Sequence, residues 1–199
     1  IYKKLEFSPR TDWYPYLKNV DVIIHLAGIA HKNSNYKNHK IYLDASIKLF
    51  KQASDANVRK IIFVSTVGVM GRGRDTVYSI HDKPKPNETY SKYKLKVEKK
   101  LEQICKAKNI DYTIIRSPLV YGNDSPGNLS RLISLLKLQL PIPLLGFKNK
   151  ISLISITNLV DFIIYCINNK SSNNNIFFVS DGLNIQINDL IEKLIKIYN

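Results

Sequence analysis

Cysteine is scarce in this chain. Its two cysteines, Cys105 and Cys166, stand in apolar, helix-periodic surroundings with no Cys or His at metal-ligand spacing. This excludes a disulfide framework and a metal centre, and predicts two buried thiols in a reducing, cytoplasmic setting. Acidic residues are also few, 16 against 30 Lys and Arg, for a net charge of +14. Such a surplus raises nucleic acid as a partner. The lysines, however, are scattered along helical stretches such as Lys92 to Lys108 and Leu190 to Lys196, with Asn and Ile equally over-used. No Arg-rich block or stacking-aromatic pattern accompanies them, so no nucleic-acid partner is expected. Long hydrophobic runs are missing too. The apolar stretches at 110–120 and 151–167 are broken by Arg116, Ser155, Asn158 and Asp161, and no membrane span is expected. No internal repeat is visible. The chain opens on Ile1 without a basic-then-apolar signal, which reads as a shortened start and not as a targeting segment.

What is present suffices for one large domain: 199 residues, 44% hydrophobic. Asp21 to Gly28 reads as a strand followed by a small-residue turn, where a ligand can approach the backbone closely. Residues 31–40 read as a polar loop, and residues 41–56 have helical periodicity. Lys60 to Thr66 is a short apolar run that predicts a buried strand delivering two hydroxyls at its end. Residues 67–73 are a Gly-punctuated loop, and His81 to Glu88 is a second loop with two prolines. A helix then runs from about Tyr90 to Lys108, and Asp111 to Arg116 is the next strand. Alternating strands and helices of this length predict parallel pairing, hence an α/β doubly wound sheet. Beyond Gly122 the pattern loosens. Residues 128–138 read as helix, 140–143 as an extended piece, Ser152 to Ile156 as strand and Asn158 to Ile167 as helix. A polar turn, the strand Ile176 to Val179 and the helix Gln186 to Tyr198 follow.

The stretch that carries chemistry is Thr89-Tyr90-Ser91-Lys92-Tyr93-Lys94. Tyr90 and Lys94, four apart, share one helix face. A nearby ammonium stabilises a phenolate and lowers a tyrosine pKa from about 10, so Tyr90 is a candidate acid/base. The same spacing recurs at Tyr14/Lys18 and Tyr36/Lys40. What separates Tyr90 is its position just after the strand ending in Ser65-Thr66, because sites in parallel sheets gather at the carboxyl ends of strands.

In order, His25-Leu26-Ala27-Gly28, Val64-Ser65-Thr66 with Gly71, Tyr90/Lys94 with Glu98, Arg116 to Gly122, and Ser152 to Val160 make the chain resemble the extended short-chain dehydrogenase/reductases. Among these it is most similar to the nucleotide-sugar epimerases and dehydratases, the UDP-N-acetylglucosamine 4-epimerases above all. The resemblance implies a Rossmann-like sheet lacking its first strands, with residues 1–122 the remainder of a dinucleotide-binding domain. Residues 123–199 would be a small, mixed substrate-binding portion. It implies Thr66, Tyr90 and Lys94 as catalytic residues. Leu26, Ala27, Gly28, Ser65, Tyr90, Lys94 and Pro118 would lie along NAD, and Thr66, Asn128 and Lys150 would meet the nucleotide sugar. Such a site oxidises a sugar hydroxyl by hydride transfer to bound NAD.

Three departures from that pattern matter. The glycine-rich phosphate loop and its acidic ribose ligand do not occur. Asp44 stands where the family often has Asn. Ile151 stands where an Arg usually meets phosphate, with Lys150 beside it, a point charge without the bidentate fork. A dehydratase would carry Asp-Glu after the hydroxyl residue, where this chain has Val67-Gly68, so the resemblance implies a 4-epimerase of a UDP-hexose or UDP-N-acetylhexosamine. Two alternatives stay open: a 4-keto-reductase, for which NADP replaces NAD, and a non-catalytic remnant on the same fold. A homodimer is compatible with either active reading.

Overall fold

The computed structural model describes residues 4–28, 36–71, 77–122, 150–182 and 184–198. The readings at 128–138 and 140–143, and Asn128 itself, lie outside the described residues. In chain order the elements are α1 (Tyr14–Leu17), β1 (Val22–His25), α2 (Tyr36–Asp55) and β2 (Lys60–Thr66). A 3-10 turn (Val67–Met70), α3 (Thr89–Lys108), β3 (Asp111–Ser117) and β4 (Leu119–Tyr121) follow. The last are β5 (Lys150–Ser155), α4 (Ile156–Asn168), β6 (Asn175–Phe178), β7 (Asn184–Gln186) and α5 (Ile187–Tyr198). They divide into two compact units, Ile1–Arg116 with Tyr165–Phe177, and Ser117–Ile164 with Phe178–Asn199.

The first unit holds a four-stranded sheet in the order β1-β2-β3-β6. β1 and β2 pair in parallel, Val22 opposite Lys60 through His25 opposite Phe63. Asp111 N–H donates to the Arg59 carbonyl (3.2 Å) and Asn174 N–H to the Tyr112 carbonyl (2.6 Å), so β3 and β6 start flush with β2 and run the same way. The parallel doubly wound expectation therefore holds, with the Ile176 strand in the sheet. β2 reads as a continuous apolar run because it is covered on both faces. Its odd residues Ile61 and Phe63 pack under α2 and α3 with Leu49, Phe50, Ala53, Val97, Leu101 and Cys105. On the opposite face the fully buried Lys60 donates to the Cys166 carbonyl (2.5 Å), Ser172 Oγ (2.8 Å) and Asn173 Oδ1 (2.6 Å).

Helix ends explain part of the asparagine excess. Asn57 and Asn109, just past α2 and α3, and also Asn19 and Asn174, all have φ between 52° and 61°, the left-handed conformation that ends a helix when glycine is not used. Asn109 closes α3, with its N–H on the Cys105 carbonyl.

Two local readings need correction. α2 starts at Tyr36 and not near Ile41, because His39 is buried and stacks on Tyr93 of α3 at 5.2 Å, which gives the polar first turn something to pack on. β1 ends at His25 and not at Ala27, where the sequence pattern puts the strand's end, leaving Leu26-Ala27-Gly28 wholly in the turn.

The second unit has its own three-stranded sheet, β4-β5-β7, with β4 parallel to β5 and β7 antiparallel to it. Leu190, Ile191 and Leu194 of α5 pack on Ile151, Leu153, Ile185 and Ile187. Asp181 ties the unit together, accepting from Tyr121 Oη (2.7 Å), Ser155 N–H (3.0 Å) and Asn158 Nδ2 (2.7 Å). Hydrogen bonds from Asn158 and Tyr121 hold its carboxyl below the usual range. Among the described residues no helix is long and apolar enough to cross a membrane.

Gly71 closes the 3-10 turn after β2 at φ 95°, where a Cβ would lie 2.3 Å from the Lys85 carbonyl oxygen. Gly182 has φ 80° with nothing within 4 Å of such a Cβ. Urea unfolding should separate strain from crowding. Gly182→Ala should lose about 1 kcal/mol and Gly71→Ala at least about 2 kcal/mol more, since the Lys85 backbone must move. Equal midpoints for the two variants would refute the crowding at Gly71.

Candidate active site

The carboxyl ends of β1 and β2 and the first turns of α3 come together in the first unit. Ser91, Lys94 and Glu98 of α3 face the sheet and are nearly inaccessible (2% each), while Tyr90 beside them is half-buried. Glu98 binds in two directions. Its Oε1 accepts from Ser65 Oγ (2.5 Å) and Arg116 Nε (3.3 Å), and its Oε2 accepts from Arg116 Nη2 (2.8 Å). This bidentate pair, Arg116 itself 3% exposed, fastens the helix to the ends of β2 and β3. Breaking a pair of this kind leaves a buried charge uncompensated, at a cost of about 3–5 kcal/mol.

One turn earlier, the Lys94 ammonium donates to the carbonyls of Val64 (3.0 Å) and Ala27 (3.2 Å) and to Tyr42 Oη (3.3 Å). It lies 4.6 Å from the centre of the Phe63 ring and 5.9 Å from that of Tyr90. Burial lowers its pKa to about 7, with the Glu98 charge pulling the other way. Gly28 is where this cluster packs closest to backbone: a Cβ there would meet Lys94 Nζ at 3.2 Å and Tyr90 Oη at 3.7 Å. Both polar atoms thus converge on the Gly28 backbone. The expected lowering of the tyrosine pKa by Lys94 is opposed by burial. Burial pushes the Tyr90 phenol up, and the ammonium's three bonds go to Ala27, Val64 and Tyr42.

Thr66 ends β2, and its Oγ1 accepts from Gly68 N–H (3.1 Å), capping the 3-10 turn and leaving the hydroxyl proton free to be donated. A Cβ on Gly68 would sit 2.6 Å from Ser91 Oγ and 3.3 Å from Thr66 Oγ1, so Thr66 and the start of α3 flank the same backbone. Ser65 is turned inward to Glu98. Leu26 is 62% exposed at the rim. Pro118 follows β3 in the second unit, and Lys150 opens β5 there, exposed. Its neighbour Ile151 takes the opposite face of the strand and packs on α5.

Several residues here were not singled out by sequence reasoning. Tyr42 was hidden among the apolar positions of an amphipathic helix, and Arg116 entered only as part of a landmark. His25, 3% exposed, is stacked among Phe7, Tyr42 and Phe63 with Phe50 edge-on, and Ser46 Oγ lies 3.0 Å from Nε2. Burial, helped by the Lys94 charge, lowers its pKa to about 3. Among the described residues no group of three or more His, Cys, Asp or Glu could hold a metal.

A family model described as NAD dependent epimerase/dehydratase family matches residues 4–179. A Vibrio cholerae UDP-glucose 4-epimerase is 31% identical over 198 residues, covering 95% of this chain and 60% of that protein. The chain thus spans about three-fifths of that relative's length. A solved Bacillus cereus UDP-glucuronic acid 4-epimerase, in complex with UDP-glucuronic acid and NAD, is similar with a TM-score of 0.80 at 25% identity, over 94% of this chain and 62% of its own. A Bacillus cereus UDP-N-acetylglucosamine 4-epimerase shares the fold with a TM-score of 0.82 at 15% identity, over 99% of this chain and 71% of its own.

The low pKa of His25 has a signed consequence. The unfolded chain protonates this imidazole near pH 6.5, the folded chain only near 3, so stability is lost as pH falls through that window. His25→Phe, which keeps an aromatic ring in the stack, should flatten that limb. Between pH 7 and pH 4.5 the native chain should lose on the order of 2–3 kcal/mol more than the variant in urea titrations. Parallel acid limbs would sink the assignment.

Proposed function

We propose that this chain, which belongs to the NAD-dependent epimerase/dehydratase family, carries the catalytic residues of a nucleotide-sugar 4-epimerase acting on a UDP-hexose or UDP-N-acetylhexosamine. The observation that carries the reading is the convergence of Tyr90 Oη and Lys94 Nζ on the side-chain-free Gly28, at the strand ends where Thr66 presents its hydroxyl. The names of the similar 4-epimerases support the class of substrate.

The residues fit NAD. Leu26, Ala27 and Gly28 form a turn whose backbone carries no side chain at Gly28, where a Cβ would crowd Lys94, and bare backbone of this kind is what a cofactor can approach closely. When bound, the nicotinamide supplies a two-electron acceptor and donor for the sugar carbon. The protein's part is to hold and move a proton. Thr66 donates its free hydroxyl proton to the sugar 4-oxygen and orients it. Tyr90 Oη exchanges the proton of that oxygen. Burial favours the neutral phenol, the form that returns the proton, so taking it relies on a positive Lys94 close by. Burial lowers the Lys94 pKa to about 7, so that charge is carried below neutral pH and lost above it.

A dehydratase reading finds no support in the 3-10 turn after Thr66. Val67 and Gly68 occupy the place of an acid pair, and Gly68 has no room for a side chain against Ser91. Asn128 and Lys150 remain the proposed diphosphate contacts, and Pro118 a proposed neighbour of the nicotinamide.

Tyr90→Phe should reduce kcat by about 10²- to 10⁴-fold while leaving nucleotide-sugar binding within a few-fold. The assay is best run on this chain and on a version extended to the length of its relatives. Unchanged epimerisation in the Phe variant would overturn the role of Tyr90. An absence of turnover at either length, with every residue intact, would favour a non-catalytic binding module.

A further inference from the structure

Lys94 has three ammonium hydrogens, and three acceptors account for them: two backbone carbonyls and one side chain, Tyr42. The carbonyls are fixed by the ends of β1 and β2. Tyr42 is the one acceptor supplied by α2, and so the one a substitution can remove.

The proton bookkeeping around Tyr42 runs in a single direction. Its own proton goes to the Ala27 carbonyl at 2.6 Å, the shortest bond in the group. Its oxygen therefore meets Lys94 Nζ as an acceptor. Ser46 Oγ donates to the Tyr42 carbonyl (2.9 Å) and lies 3.0 Å from His25 Nε2, which is itself 3.5 Å from Tyr42 Oη. With its proton on the Ala27 carbonyl, Tyr42 meets the ammonium as a hydrogen-bond acceptor. It is an oriented dipole with its negative end on the ammonium.

We propose that Tyr42 is a positioning residue for Lys94: the hydroxyl, locked by its bond to Ala27, holds the ammonium charged and in front of Gly28. The titratable groups around Lys94 are His25 on β1, Tyr42 on α2, and Tyr90 and Glu98 on α3, while β2 contributes the Val64 carbonyl and the Phe63 ring. His25 is neutral near pH 7, and Glu98 is already shared between Arg116 and Ser65. Burial raises the Tyr42 phenol pKa, so it stays uncharged wherever Lys94 titrates. Its effect on Lys94 is therefore that of a hydrogen bond to the charged form, not of a competing charge. The same oxygen steadies the Leu26-Ala27-Gly28 turn through Ala27, so one side chain holds both the turn and the ammonium packed on it.

The bearing of this on turnover rests on the function proposed above, but the test does not. The Lys94 side-chain amine can be followed by nitrogen-15 NMR in the chain alone, its resonance identified by its loss in Lys94→Met. Tyr42→Phe keeps the ring, which lies 5.5 Å from the ammonium, and removes only the hydroxyl. The midpoint of Lys94, about 7, should fall by about one pH unit in this variant, a tenfold loss of the protonated fraction above it. Tyr112→Phe, which removes another buried hydroxyl, one bonded to Glu102, should leave it in place. A midpoint unmoved or raised by Tyr42→Phe would overturn the proposal. Should that variant fail to fold, carbon-13 at Tyr42 Cζ in the unsubstituted chain gives a second reading. Its shift should titrate with the Lys94 midpoint, and a flat trace through that midpoint would equally overturn the proposal. A Lys94 shift as expected, in a chain that shows no turnover at either length, would fail the enzyme reading and leave Tyr42's role standing.

Discussion

Two opposite charges buried one turn apart on α3 set the terms for the rest of the first unit. Neither Lys94 nor Glu98 can sit in the interior without several strong partners, because the desolvation of each costs several kcal/mol. Their partners are spread over four other elements: the turn after β1, Tyr42 on α2, Val64 and Ser65 on β2, and Arg116 on β3. A slide of α3 by one residue would strand both charges. The apolar contacts of Val97, Leu101 and Cys105 tolerate approximate placement, whereas these bonds do not. The precision of the helix is thus an electrostatic matter, and the hydroxyl of Tyr90 inherits it.

That arrangement also explains what could and could not be read from the residues in a row. β2 and β3 were legible because strands covered on both faces are apolar throughout, and α3 because its length and periodicity are plain. Tyr90 and Lys94 were legible through a spacing that becomes meaningful only beside Ser65-Thr66. Tyr42 was not, since a tyrosine on the buried side of a helix gives no hint that its oxygen meets a lysine 52 residues away. Lys60 opens an apolar run, and nothing in the run says that its ammonium is buried on the far face of the sheet. The first turn of α2 read as loop because Tyr36 to Lys40 is polar, and only the His39 stack on Tyr93 makes helix the better state. In the second unit β7 has three residues, too few for any pattern, and exists because Ile151 and Ile185 pair across it.

The sheet of the first unit is asymmetric in how it handles its two buried lysines. At the amino ends of the strands, Lys60 is surrounded by the Cys166 carbonyl, Ser172 and Asn173, and Asn173 in turn donates to Asp111 at 2.6 Å. That is a closed knot, with burial lowering the lysine pKa and Cys166 and then Asp111 partly restoring it. At the carboxyl ends, Lys94 has the same number of partners but lies beside a backbone without a side chain. One lysine joins the last segment of the unit to the sheet. The other keeps its charge against the bare backbone of Gly28.

The left-handed asparagines have a consequence for how glycine is to be read in this chain. Asparagine at such a position carries a steric cost in the native state of roughly 1 kcal/mol, and it also spares the unfolded ensemble the extra freedom of glycine, which is of similar size. The two nearly cancel, so nothing presses the turns toward glycine. Glycine in the first unit then mostly marks proximity: Gly28 against Lys94 and Gly68 against Ser91, while Gly71 combines a φ of 95° with close approach to the backbone of Lys85. All three border the ends of β1 and β2. A map of where this sequence refuses to grow a side chain would, on its own, mark the ends of these two strands.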